Sequence, residues 1–576
     1  MTKNRLSVSC IIALGLAAAG LAGCAAPNNA APASASAPAA ATAAPAIYGT
    51  DNAFASEAIY FLLTDRFVDG DPSNNQVDQG KPNFKTFDRN LPGPDGQYDN
   101  IGYLGGDFKG IVDNADYIAE MGFTALWTTP IVDNPDAAYS GSEEVKFGSG
   151  YQDGGKTGYH GYWAVNFYKV DEHLPSPGLQ FQDFTKELRD KHGLKYILDI
   201  VANHGSPSYT MPVSQPEFGK LYDGEGRLVA DHQNLHPEKL DPNNPLHRFF
   251  NRTPGLATLS DLDPDNPDVM DYLMGSYEQW LDQGVYALRI DTFKEQPHYF
   301  WKKLGDRIRA KRPDIFMFGE SFSFDANFLG EHTQPENGGF SVLDFPGRAA
   351  MKEVFENPNS NYSELQSYLH LTDKVYRNPY ELVTFYDNHD MSRLNASDEG
   401  FIDVNNWLFT SRGIPAIYYG SETGFMRGTA EHFGNRNYYG QERIDAGRNH
   451  PIRQNMMKIA NLRKALVSLQ KGVQLNVDFS GQFANFYRIY QKDGVNEIAL
   501  VMLNKGDAAK YVTLDDMVEP GQWRDAFTGE KLTVAADQTS FSAEVPAHGV
   551  RVFVKNTPLV NKDIMAQAAQ LAKAVQ

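Results

Sequence analysis

Tyr286-Ala-Leu-Arg-Ile-Asp-Thr-Phe-Lys294 opens as an apolar run suited to a buried strand and closes on Arg289, Asp291 and Lys294, where the strand should stop. Charges gathered at a strand end are costly to bury unless they are paired or used. Taken alone, the stretch fits either an active-site strand end or a structural Arg-Asp pair capping a strand. Ile315-Phe-Met-Phe-Gly-Glu320 repeats the pattern, and so does Leu382-Val-Thr-Phe-Tyr-Asp-Asn-His-Asp390, which ends on Asp387, His389 and Asp390. Upstream, Tyr196-Ile-Leu-Asp-Ile-Val-Ala-Asn-His204 carries Asp199 inside an apolar run and ends on Asn203 and His204. Polar groups recurring at strand ends are what a parallel (β/α)8 TIM barrel presents at its carboxyl-terminal mouth. The fold class expected is therefore α/β.

These stretches contain the blocks D-x-x-x-N-H, R-x-D-x-x-K, G-E and N-H-D, in that order. Together they resemble the α-amylase family of glycoside hydrolases, where any single block would say little. The resemblance runs from about Ala53 to Asn556, and is closest to the cyclodextrin glycosyltransferase and maltogenic amylase branch at Tyr60 to Asn75, Tyr159 to Ala164, Leu259 to Asp263 and Thr410 to Gly420.

Length and charge bound the rest. A chain of 576 residues exceeds what one hydrophobic core usually organises, so a large catalytic unit with a smaller companion is expected. A formal net charge of −20 argues against nucleic acid or an anionic membrane surface as partner and suits a neutral substrate. A monomer is expected.

The amino terminus reads as an address. Lys3 and Arg5 precede the apolar run Ile11 to Gly20, and Leu21-Ala-Gly-Cys24 resembles a bacterial lipobox. This implies a signal peptide over 1–23, lipid attachment at Cys24 and a lipid-anchored enzyme of the bacterial envelope. Ala25 gives no inner-membrane retention cue of the Asp type, which favours the outer membrane. A plain secretory signal cut elsewhere is the alternative. Cys10, the other of the 2 cysteines, lies inside the signal, so the mature chain can form no internal disulfide.

Residues 24–50 form an Ala/Pro-rich tether with nothing to bury. The barrel is expected over 51–202 and 262–471. Its strands are read at Ala58 to Phe67, Phe123 to Pro130, Tyr196 to Ile200, Tyr286 to Asp291, Ile315 to Glu320, Ser341 to Phe345, Leu382 to Tyr386 and Ile414 to Tyr419. Residues 203–261, rich in Pro, Asn, His and Gly, are too long for a usual loop and make an irregular subdomain after the third strand. Short alternating runs over 472–557 predict an antiparallel β-sandwich. The last stretch, 558–576, is a tail or a short amphipathic helix.

Cleavage of a glycosidic bond with retention requires a nucleophilic carboxylate and a protonated carboxylic acid on opposite sides of the bond. The resemblance makes Asp291 the nucleophile, Glu320 the acid and base, and Asp390 the third carboxylate that grips sugar hydroxyls. It makes His160, His204 and His389 hydroxyl partners of the cleaved sugar and Tyr162 its stacking platform. It counts Arg289 and Lys294 among the substrate-binding residues, with Phe322 able to stack an acceptor sugar, and Asp199 holding Arg289 or its loop. A lone histidine or aromatic ring is otherwise more often structural.

One or two calcium ions are expected, since Ca2+ takes carboxylate and carbonyl oxygens. One set, implied by the family, is Asn203, Asp261 and the carbonyl near Glu295, where a histidine is common in the family. The other is Asp69, Asp71, Asn74, Asn75, Gly105 and Asp107, for which metal-free Asx turns are the alternative.

Two departures bear on the reaction. The branch usually continues into further domains, and it places a central aromatic ring four residues before the aspartate matched to Asp261, where this sequence has Ala257. The expected activity is hydrolysis of α-1,4-glucans, starch or maltooligosaccharides, through a covalent glycosyl-enzyme. Cyclodextrin formation or other 4-α-glucanotransfer is the alternative. A non-catalytic glucan-binding lipoprotein is the rival from another class.

Overall fold

The computed structural model describes residues 46–78, 85–150, 152–212 and 215–575. Cys24, the signal peptide and nearly all of the tether lie outside the described residues.

Eight parallel strands form one sheet: β1 (Ile59–Leu62), β2 (Ala125–Thr128), β3 (Lys195–Ile200), β4 (Val285–Ile290), β5 (Phe316–Gly319), β6 (Ser341–Val342), β7 (Val383–Thr384) and β8 (Ile414–Tyr418). The strand order is β6-β5-β4-β3-β2-β1-β8-β7, and a parallel bridge from Leu343 to Val383 joins its two ends. The sheet therefore closes into a barrel. The helices between strands pack outside it, among them α1 (Phe108–Asp113), α2 (Ala115–Glu120), α3 (Phe181–His192), α4 (Pro267–Leu281) and α5 (His298–Lys311). They are followed by α6 (Ala326–His332), α7 (Phe345–Glu356), α8 (Asp398–Thr410) and α9 (Pro451–Ala465). Strands buried on both faces explain why their sequences read as continuous apolar runs rather than alternating ones.

The first strand is shorter than the apolar run suggests. It stops at Leu62, and Thr64–Phe67 forms a helical turn. The turn is held because the Asp65 carboxylate accepts the amides of Leu104 and Gly105. The tether boundary also moves. Ile47 is buried and exchanges backbone hydrogen bonds with Gln491, and Thr50 donates to Glu381, so the folded unit begins before residue 50.

After β3 the chain leaves the barrel in short antiparallel pieces. His204–Pro207 pairs with Leu259–Asp261, and Lys220–Tyr222 pairs with Leu228–Asp231. Beyond α9, the strands β9 (Val473–Ser480), β10 (Phe483–Lys492), β11 (Val495–Asn504), β12 (Lys510–Asp515), β13 (Gly521–Asp525), β14 (Lys531–Val534), β15 (Ser540–Val545) and β16 (Gly549–Lys555) form a sandwich. One sheet has the order β9-β10-β11-β16-β13-β14, and β12 pairs with β15 in the other. The final stretch is a helix, α10 (Lys562–Val575), whose Ile564, Ala568, Leu571 and Ala572 are buried in the sandwich core. It completes that core instead of trailing from it. No helix among the described residues is long and apolar enough to cross a membrane.

Candidate active site

Strand register sets the charges side by side. Arg289 on β4 lies opposite Asp199 on β3 and Phe318 on β5. The Arg289 guanidinium takes Asp199 Oδ1 at 2.8 Å, Asp291 Oδ1 at 2.9 Å and Glu320 Oε2 at 3.3 Å. One buried cation thus gathers carboxylates from three neighbouring strand ends. Asp199 also accepts from Trp127 Nε1 and the Tyr162 hydroxyl, both at 2.9 Å, so it holds both the arginine and the Tyr162 ring.

The turn after β4 is forced. Thr292 sits in the left-handed region at φ 48°, which swings the chain away just past Asp291, and its amide donates to Glu320 Oε2. Gly319 precedes the acid because a Cβ there would lie 2.4 Å from the Phe293 ring. The G-E pair is therefore a packing requirement joined to a chemical one.

These groups line a cavity of about 400 Å3 at the carboxyl-terminal mouth. Asp291, Glu320, Asp390, His160, Tyr162, His204, Lys294, Phe322 and His389 all face it, whereas Arg289 lies beneath. Asp390 is paired with Arg436 Nη2 at 2.7 Å and with His389 Nε2 at 3.2 Å. Lys294 donates to the Phe322 carbonyl at 3.3 Å. The Tyr162 and His389 rings stack with centroids 5.4 Å apart and planes within 9°.

Electrostatics separates the roles. Burial, reinforced by the charges of Asp291 and Asp390 and opposed by Arg289, pushes the Glu320 carboxyl up to about 8. It is therefore protonated at neutral pH, as a general acid must be. Burial also raises Asp390, against the pull of Arg436. His160, His204 and His389 are all driven below the usual histidine range, first by burial, so they are neutral rings able to both donate and accept.

Sequence reasoning missed one arm of the site. Asp153, Lys156, Glu431 and Arg436 line the same cavity. Glu431 bridges Arg436 at 2.9 Å and Lys156 at 3.0 Å, and Lys156 pairs with Asp153 at 2.7 Å. These residues come from loops without apolar runs, so no periodicity marks them; only the isolated charges of a Gly-rich segment could have.

Of the two oxygen-rich sets, Asn203 donates to Asp261 Oδ1 at 3.1 Å, which joins the excursion to the end of β3. Burial lifts the Asp261 carboxyl to about 7, and among the described residues no cationic side chain pairs with it. The Glu295 side chain instead approaches Lys294. In the other set, Asp69 Oδ1, Asn74 Oδ1 and Asn75 Oδ1 are buried without a hydrogen-bond partner. A Cβ on Gly105 would stand 2.3 Å from Asn75 Oδ1. This cradle fits a hard cation. Two residues of the set are engaged elsewhere: Asp71 caps the turn at Ser73, and Asp107 accepts the amides of Gly70, Asp71 and Gly110.

A parallel barrel with a protonated carboxylic acid, two further carboxylates and neutral histidines around one mouth is the constitution of an enzyme that works on glycosidic bonds. The sequence profile described as "Alpha amylase, catalytic domain" matches residues 61–461, and the chain belongs to that family. It is 29% identical over 544 residues to a cyclomaltodextrin glucanotransferase of Bacillus sp. (strain 1-1), covering 90% of this chain and 71% of that one. It is 36% identical over 392 residues to the enzyme of the same name from Bacillus licheniformis, covering 64% of this chain but 49% of that relative. Among solved structures, CldA, a cyclomaltodextrin glucanotransferase with a three-domain ABC distribution, superposes with a TM-score of 0.69 at 29% identity, covering 87% of this chain and 99% of that one. An Anoxybacillus α-amylase superposes at 0.66 with 26% identity, covering 89% and 100%. CldA shows that a glucanotransferase can be built from three domains, so domain count does not separate hydrolysis from transfer.

Proposed function

We propose that this protein cleaves α-1,4-glucosidic bonds of starch or maltooligosaccharides by double displacement, releasing the products to water. Asp291 attacks the anomeric carbon while Glu320 protonates the departing oxygen; Glu320 then takes a proton from the incoming water. Asp390, held by Arg436 and His389, grips hydroxyls of the reacting sugar. Tyr162 supplies the ring against which that sugar packs, and the neutral histidines hydrogen-bond its hydroxyls without adding positive charge. The single observation carrying this reading is the Arg289 guanidinium, which touches both Asp291 and Glu320 and so sets the pair at one point.

Hydrolysis is favoured over cyclisation by Ala257, which lines the cavity beside Leu256 and Leu259 and offers no ring for a glucan to wrap around. Transfer is the second reading, favoured by the half-buried Phe322 ring that an acceptor sugar could use. Calcium is proposed at both oxygen-rich sets: Asp69, Asn74, Asn75 and the Gly105 carbonyl would hold one ion, Asn203, Asp261 and the Glu295 carbonyl the other. There the ion would neutralise buried carboxylates and pin loops; it takes no part in bond cleavage. Lipid anchoring through Cys24 to the outer membrane is likewise a proposal, supported by the lipobox-like sequence. Chromatography of products from soluble starch tests the reaction. Reducing ends rising in step with cleavage support hydrolysis, and cyclic products formed without new reducing ends refute it.

A further inference from the structure

Beyond Phe322 the catalytic cavity borders a second groove, about 430 Å3 in volume, which belongs to none of the roles above. Its floor includes Ala326, Pro346 and Ala350, and Glu364 and His370 stand at its rim. Phe324 lines it and is 48% exposed, unusual for a phenyl ring. The two cavities are joined through rings. Phe322, which faces the catalytic cavity, lies 5.9 Å from Phe324 at 77°. Both pack on the buried Phe345, at 5.2 and 6.1 Å, which begins α7 and fixes their positions.

We infer that this groove carries the leaving-side continuation of a long α-glucan chain, with Phe324 as a stacking platform outside the cleft. The inference rests on the assignment of Glu320 as the acid. The leaving sugar must then lie on the Glu320 side, and Phe322 and Phe324 follow that residue along the same loop. A chain running from Glu320 over Phe322 meets Phe324 next and enters the groove. The chemistry of the walls suits a sugar: apolar ring faces for C–H surfaces, carboxylate and imidazole at the rim for hydroxyls. An acidic rim on a chain of net charge −20 disfavours an anionic ligand.

The test compares the intact protein with Phe324→Ala and with Ala350→Trp, which fills the groove, using maltotetraose and long-chain amylose. The ratio of kcat/KM on amylose to that on maltotetraose is expected to fall about five- to tenfold in both variants, chiefly through KM, the loss of one stacking contact. An unchanged ratio overturns the inference. So does an equal loss on both substrates, which would make Phe324 a prop for Phe322. A parent protein inactive on both amylose and maltotetraose refutes the glucan-cleaving assignment itself and takes the groove with it; an active parent with an unchanged ratio in the variants refutes only the groove.

Discussion

Replacing Arg289 with Met removes the cation beneath three carboxylates and leaves its volume nearly filled. With Asp199, Asp291 and Glu320 around it, the cluster carries a net charge of −2 if all three ionise, and −1 when Glu320 keeps its proton. Removing the arginine takes that to −2 wherever Asp199 and Asp291 are both ionised, at a side-chain exposure of 0–9% for the three acids. Breaking a buried ion pair of this kind costs about 3–5 kcal/mol at neutral pH. The penalty has a defined pH course. Asp199 and Glu320 start from ordinary values of 3.8 and 4.5 and already stand at about 7 and 8 in the fold; loss of Arg289, which lowers both, raises them further. A carboxyl whose folded pKa exceeds its unfolded one is stabilising relative to neutral pH only while protonated. The variant's deficit is therefore small near pH 4.5, below about 2 kcal/mol, and grows as pH rises through 7 and 8. Thermal unfolding at pH 4.5, 6 and 8 measures it. A Tm deficit equal at all three values, or no deficit, refutes the claim that Arg289 is the counter-charge of the cluster.

The catalytic rate should fall as pH rises past about 8, where Glu320 loses its proton, and Glu320→Gln should remove that limb together with most of the activity; a pH–rate profile of both proteins shows whether it does. Ala257→Tyr places a ring where the cavity now has a methyl group, so cyclic products should increase; Ala257 already carries its Cβ at φ 51°, and an unchanged product pattern would count against the wrapping argument. Chelation with EGTA should lower Tm, and Asn75→Ala should blunt that response by deleting one orphaned oxygen of the cradle; a parent Tm insensitive to chelator would remove calcium from this site.

The barrel was legible because its strands are buried on both faces and end abruptly in charge, as β4 does at Arg289 and Asp291. The strand-end residues of the site were legible for the same reason. What escaped were groups whose meaning is tertiary. Lys156 and Glu431 pair across 275 positions of chain, and no local pattern announces that their loops meet over Asp390. The helix α10 was ambiguous because its apolar face needs the sandwich to cover it, and Ile47 looked like part of a tether because its one bridge is to the distant Gln491. Asp71 and Asp107 show the converse: an Asx-rich run reads as a metal cradle throughout, while the fold assigns some of its carboxylates to caps.

The central claim is that Asp291 forms a covalent bond to the sugar while Glu320 manages the proton. Peptide mapping by mass spectrometry after rapid quench of the protein with a 5-fluoro-α-glucosyl fluoride tests it most directly. The account predicts one glycosyl adduct, on the peptide containing Asp291 and absent from Asp291→Asn. An adduct on Glu320, Asp390 or any other residue contradicts it.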